Sequence, residues 1–196
     1  MRVALTFDTE HPARTCTGLV LELTLASLAR AGAPATFFVQ GRWARSSPDQ
    51  ARRIGSAGHL IGNHSHHHAP MDSLTEDGFR ADVRAAGATI EAVTGMDPRP
   101  WFRCPFGAGM DDPEVLHRLE EMGYVHVGWD VDPRDWHEDS DAEAVARSVL
   151  EGIRIRDDSI VLMHSWPDST AEALPRILAG LAVAGAELVN IETLMG

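Results

Sequence analysis

The stretch Val3-Ala4-Leu5-Thr6-Phe7-Asp8-Thr9-Glu10 is a short apolar run that stops on two acids. The same grammar returns along the chain at 35–39, 60–61, 101–102, 124–129, 159–163 and 188–191. Segments of helical period lie between these β-like runs. Residues 18–31 place Leu21, Leu25 and Leu28 on one face and Gly32 as a stop. Residues 74–94 carry a stripe of Phe79, Val83, Ala86, Ile90 and Val93, with Ser73 and Glu76 as a capping box and Gly95 at the end. Pro113 suits the first turn of a helix over 113–122, and two further capping boxes start at Ser140 and Ser169. Pro175 is expected within the tolerated first turns of the last helix.

Strand alternating with helix predicts a parallel α/β protein. An open doubly wound sheet and a closed, irregular barrel both fit. The 196 residues are few for a full eight-fold barrel, so we expect a distorted (β/α) barrel of about seven parallel strands, in one catalytic domain over 1–196. Either architecture collects its chemistry at the carboxyl ends of the strands.

Composition narrows the partners. With 29 acidic against 17 basic residues and a formal net charge of −12, the chain has no attraction for phosphate backbones, which argues against nucleic acid. Cys16 and Cys104 are the only cysteines, and both are compatible with a reducing compartment. No stretch is long enough to span a bilayer, and the run after Met1 is too short for a signal-peptide core, so a cytoplasmic location with no membrane partner is expected.

The polar residues follow the strand ends. Asp8 and Glu10 follow the first run, His64 and His68 the third, Arg103 the fourth, Asp130, Asp132 and Asp135 the fifth, and His164 the sixth. The four-residue spacing of His64 and His68 is about one helical turn, which would let both imidazoles and a carboxylate hold one divalent ion. A solvated loop is the plainer reading of that histidine run. Asp8 and Glu10 alternate onto one side of a strand, so one could bind metal while the other accepts a proton, although a simple turn also fits. Arg103 and Asp135 could be an ordinary ion pair, or the arginine could keep a catalytic carboxylate ionised. His164 ends an apolar run, where a buried histidine is most often hydrogen-bonded core. Its strand-end place before Ser165-Trp166-Pro167 better suits solvent or substrate, and in a site it would act as a general acid. Trp136 and Trp166 would be apolar walls or platforms for a sugar ring.

Together these pieces resemble the polysaccharide deacetylase family, carbohydrate esterase family 4. The resemblance rests on Thr6-Phe7-Asp8, the run from Gly58 to His68, Phe102-Arg103-Cys104-Pro105-Phe106-Gly107, Asp132-Pro133-Arg134-Asp135-Trp136 and Leu162-Met163-His164, in the family's order. It implies a distorted barrel, a bound divalent cation, often zinc, and hydrolysis of an acetyl group, usually from an N-acetylated sugar. By resemblance Asp8 is the base, Arg103 orients it, Asp135 tunes the catalytic histidine and His164 is the general acid. His64 and His68 are the metal pair, and Pro105, Phe106, Trp136 and Trp166 meet a small-molecule or oligosaccharide substrate.

The first motif departs from the pattern. The usual adjacent aspartates are replaced by Asp8-Thr9-Glu10. Thr9 cannot be an anionic ligand, and Glu10 is expected as the third ligand instead. Two other readings remain: a metal-independent hydrolase of a small cyclic amide or ureide, and a carbohydrate-binding module that has lost turnover.

Overall fold

A computed structural model describes residues 1–9, 18–155 and 157–196. Among the described residues the strands are β1 (Arg2–Thr9), β2 (Thr36–Val39), β3 (Leu60–Asn63), β4 (Trp101–Phe102), β5 (Val125–His126), β6 (Asp158–His164) and β7 (Glu187–Val189). All their pairings are parallel, in the order β5-β4-β3-β2-β1-β6, with β7 also on β1. β6 pairs β1 from Arg2 to Asp8, whereas β7 pairs its first residues and β2 its last. Beyond β5 the chain returns to the far side of β6, where Val131 bridges Val161. That bridge draws the two ends of the sheet together into a distorted (β/α) barrel.

The helices are α1 (Leu19–Ala31), α2 (Gly41–Ser46), α3 (Pro48–Ser56), α4 (Glu76–Thr94), α5 (Pro113–Glu121), α6 (Ala142–Gly152), α7 (Asp168–Val183) and α8 (Ile191–Met195). Alternation along β1 sorts the molecule into an outer and an inner layer. Val3, Leu5 and Phe7 join the large core with Leu21 and Leu28 of α1, Val145 and Val149 of α6, and Leu174, Ile177 and Leu181 of α7. Ala4 faces the other way, into a cluster with Phe38, Trp101 and Val127. Asp8 is in phase with Ala4 and Thr6, so the strand period itself turns its carboxylate inward.

Several local expectations shift. The hydroxyls of Ser73, Ser140 and Ser169 bond the carbonyls of Pro70, Arg134 and Asp135 instead of capping helices. Thr75 and Asp141 cap α4 and α6 through the N–H groups of Gly78 and Ala144. Because α7 opens at Asp168, Pro175 lies inside the helix and not in its first turn, where the apolar stripe through Leu174, Ile177 and Leu181 carries the helix past it. The run at 188–191 ends its strand at Val189, and Asn190 caps α8 by accepting from Thr193 N–H. The short helix α2 is capped at its start by the Gln40 side chain, which accepts from Trp43 N–H.

Candidate active site

Asp8 is buried near the carboxyl end of β1, 4% exposed, and Arg103 is fully buried just past β4. The Arg103 guanidinium donates from Nη1 to Asp8 Oδ1 at 2.9 Å and to Thr6 Oγ1 at 2.8 Å. Nε and Nη2 donate to the carbonyls of Val127 (3.1 Å) and Gly128 (3.0 Å). Its face lies 4.1 Å from the centre of the Phe38 ring. Gly62 is what lets that ring sit there, since a Cβ at this position would come within 2.7 Å of it. Burial pulls the Arg103 pKa below the usual value, against an opposing pull from Asp8. A buried cation is tolerable only with this many partners. Arg103 therefore pairs with Asp8 and not with Asp135, because Asp135 is committed elsewhere.

Asp135 is 1% exposed, and its Oδ1 lies 2.7 Å from His164 Nδ1. Its Oδ2 accepts from His164 N–H (2.7 Å) and from the Thr170 hydroxyl (2.6 Å). An anion on Nδ1 leaves the proton there and turns Nε2 toward the cleft, the arrangement a general acid or base needs. His164 is also the register partner of Asp8 across β1 and β6.

His64 directly follows β3. Its Nδ1 lies 2.9 Å from the Arg103 carbonyl, which fixes the N–H on that nitrogen. Its Nε2 is 3.1 Å from His68 Nε2 and 3.5 Å from Asp8 Oδ2. The convergence does not come from a helical turn. Residues 64–70 contain no helix, and left-handed backbone at Ser65 (φ 61°) and His68 (φ 59°) folds the loop back on itself. Phe106 (φ 59°) and Arg134 (φ 55°) are the other non-glycine residues of this kind among the described residues, and both border the same region. Such backbone is costly for residues with a side chain, so each of these positions must be held by its surroundings.

The cleft has a volume of about 310 Å³ and is lined by Asp8, Cys104, Phe106, Trp129, Asp132, Trp136, Leu162, His164 and Trp166. The Phe106 ring stands edge-on to His68, with centroids 4.5 Å apart. Pro105 does not line the cleft. It is buried at the start of a 3₁₀ turn, where its ring sets the turn that presents Phe106. Trp129, Leu162 and Cys104 are walls the sequence reading missed. The period of β6 signals Leu162, two residues before His164, but nothing marks Trp129. Burial pushes the Cys104 thiol up to about 12, so it is a wall and not a nucleophile. Asp130 does not reach the cleft, because its carboxylate accepts from Ile160 N–H.

Glu10, expected as third metal ligand, and Cys16 lie outside the described residues. Among the described residues no three His, Cys, Asp or Glu side chains are set to hold a metal ion. Thr9 is indeed turned from the site, since its hydroxyl donates to the Phe38 carbonyl. No helix of the described residues is long and apolar enough to cross a membrane.

The family model for polysaccharide deacetylase matches residues 1–127. The chain belongs to the polysaccharide deacetylase family. It is 30% identical over 196 residues to the peptidoglycan-N-acetylglucosamine deacetylase of Bacillus cereus, covering 98% of this chain and 67% of that one. It is 32% identical over 175 residues to the uncharacterized protein YlxY of Bacillus subtilis, covering 89% of this chain and 53% of that one, about half its length. Among solved structures it superposes with a TM-score of 0.89 on BA3943 of Bacillus anthracis, described as a CE4 family pseudoenzyme. The identity there is 30%, over 100% of this chain and 65% of that one. A mutant of BA3943 with restored enzymatic activity gives the same TM-score at 31% identity, over 100% and 67%. The polysaccharide deacetylase family thus spans hydrolases of amide bonds and relatives that have lost turnover.

Proposed function

We propose that this chain hydrolyses an acetyl group from an N-acetylated sugar or a related small compound, as its peptidoglycan-deacetylase relative is named for doing. One observation carries the reading: Asp8, held by Arg103, and His164, held by Asp135, are register partners at the mouth of one cleft. In the mechanism we infer, Asp8 accepts a proton from water as the water attacks the acetyl carbonyl carbon. Arg103 compensates the buried charge of that carboxylate and keeps it aimed. His164 then gives a proton to the departing nitrogen as the C–N bond breaks, leaving acetate and a free amine, and Asp135 steadies the imidazolium. Trp136, Trp166 and Phe106 exclude water and flank the sugar.

A divalent cation, zinc by preference, belongs to the proposal. The Nε2–Nε2 separation of 3.1 Å supports it, being close to the ~3.4 Å between two nitrogens bound at about 2.0–2.1 Å on a tetrahedral zinc. His64 and His68 would hold the ion, with Glu10 as the further ligand. Bound there, it would polarise the carbonyl and acidify water.

Acetate release from N-acetylglucosamine oligomers, before and after chelation, tests the proposal. Release that stops on chelation and returns with zinc or cobalt supports it in full. Release of product from a cyclic ureide that survives chelation would select the metal-independent alternative. No release from any amide, alongside measurable sugar binding, would place the chain with BA3943 as a pseudoenzyme.

A further inference from the structure

The run His64-Ser65-His66-His67-His68 contains two histidines that the proposed site does not use, and their backbone is gripped from two sides. The Ser65 and His66 carbonyls accept from the N–H groups of Gly41 (2.9 Å) and Arg42 (3.3 Å), which open α2. On the opposite side stands Asp82 of α4, 7% exposed. Its Oδ1 accepts from His66 N–H at 2.7 Å, and its Oδ2 accepts from His67 N–H at 3.1 Å and lies 2.7 Å from His67 Nδ1. The next residue, His68, has left-handed backbone, and its N–H returns to the Ser65 hydroxyl at 2.9 Å.

We propose that Asp82 is a positioning residue that sets the His64–His68 pair by clamping the intervening peptides. This rests on reading that pair as the cation site. A strained loop persists only when its surroundings over-determine it, and here the two amides ahead of His68 are both held by one carboxylate. Only an anion with two acceptor oxygens serves both amides and the imidazole together. An amide at position 82 would offer one oxygen and turn an N–H₂ group toward a donor. Gly41 closes the clamp from below: a Cβ there would lie 2.4 Å from His66 Nδ1 and 2.9 Å from the Ala86 Cα.

Three proteins decide it: Asp82→Asn, Asp82→Glu, which keeps both acceptors, and Asp77→Asn, an exposed carboxylate on the first turn of the same helix. Cobalt binding by visible absorption should weaken about tenfold or more in Asp82→Asn, in line with residues that orient metal ligands. Asp82→Glu should recover most of that affinity, Asp77→Asn should match the parent, and KM should move far less than kcat. In metal-free protein, the ¹⁵N imidazole signals of His68 should shift in Asp82→Asn while those of His164 stay put. Unchanged cobalt affinity in Asp82→Asn overturns the clamp. If the parent binds no cobalt, the cation reading of the site fails, and the His68 signal in metal-free Asp82→Asn then decides the clamp: a shift supports it, no shift overturns it.

Discussion

Asp8 and His164 face each other across the β1–β6 ladder, and Ser165 N–H donates to the Asp8 carbonyl at 3.1 Å to lock the register. Each then takes its own buried partner, Arg103 for one and Asp135 for the other. The proposed base and the proposed acid are separated by one interstrand step, and what distinguishes them is the sign of the neighbour: a cation beside the carboxylate, an anion beside the imidazole. His164→Ala should therefore lower kcat by about 10²- to 10⁴-fold with KM little changed. Steady-state acetate release checks this, and a loss below tenfold would remove His164 from the chemistry.

Arg103→Met should cost about 3–5 kcal/mol, because it leaves Asp8 buried without its cation. The double variant Asp8→Asn/Arg103→Met should cost clearly less than the two single changes added together, since each single change strands the other's charge or donors. Urea unfolding of the four proteins measures the coupling, and strict additivity would contradict the pairing.

Asp135→Asn should lower kcat by about 100-fold or more, because the amide no longer favours the proton on His164 Nδ1 or stabilises the imidazolium. Thr170→Val should have a smaller effect in the same direction, and Thr170→Ser should restore activity, since the Thr170 hydroxyl donates to Asp135 Oδ2. Equal activity in Thr170→Val and Thr170→Ser would show that this hydroxyl contributes nothing to the pair.

His126 on β5 gives the fold an acid-sensitive element. Burial, helped by the positive charge of Arg103, holds its imidazole down to about 4, while the unfolded chain titrates near the ordinary 6.5. Below 6.5 the unfolded state takes up a proton that the folded state refuses, so stability is full above that pH and falls as the pH drops toward 4. His126→Leu should flatten the stability profile between these limits by about 2–3 kcal/mol. Guanidinium melts at pH 7.5 and 4.5 report it, and equal slopes in parent and variant would exclude His126 as the source.

The barrel was legible because hydrophobic period and strand-end acids both survive as one-dimensional patterns: every expected strand exists, with shifts of only a few residues. Asp8, Arg103, Asp135 and His164 could be placed at the same rim for that reason. The rest was hidden where geometry depends on side chains far away in sequence. Ser73, Ser140 and Ser169 look like caps locally, but their hydroxyls find loop carbonyls first. Helical spacing suggested the His64–His68 pair, yet a strained loop held by Asp82, fourteen or more residues downstream, is what brings the rings together. Pro105 carried no signal that it would be buried while its neighbour Phe106 stood 71% exposed over His68.

The strand order also governs how this chain can be assembled. β1 comes first in sequence, yet one whole edge of it is completed by β6 and part of the other by β7, segments from the opposite end of the chain. Such distant pairings carry a large loop-closure cost and fold slowly. Until they form, the β1 edge is exposed and adhesive, and the two halves of the candidate acid–base pair have never met. A nascent or truncated chain ending near residue 127 would hold most of the family's recognisable motifs and still lack β6, the strand that covers the edge of β1 and brings His164 beside Asp8. Solubility and activity should therefore arrive together, late, with the carboxyl-terminal third.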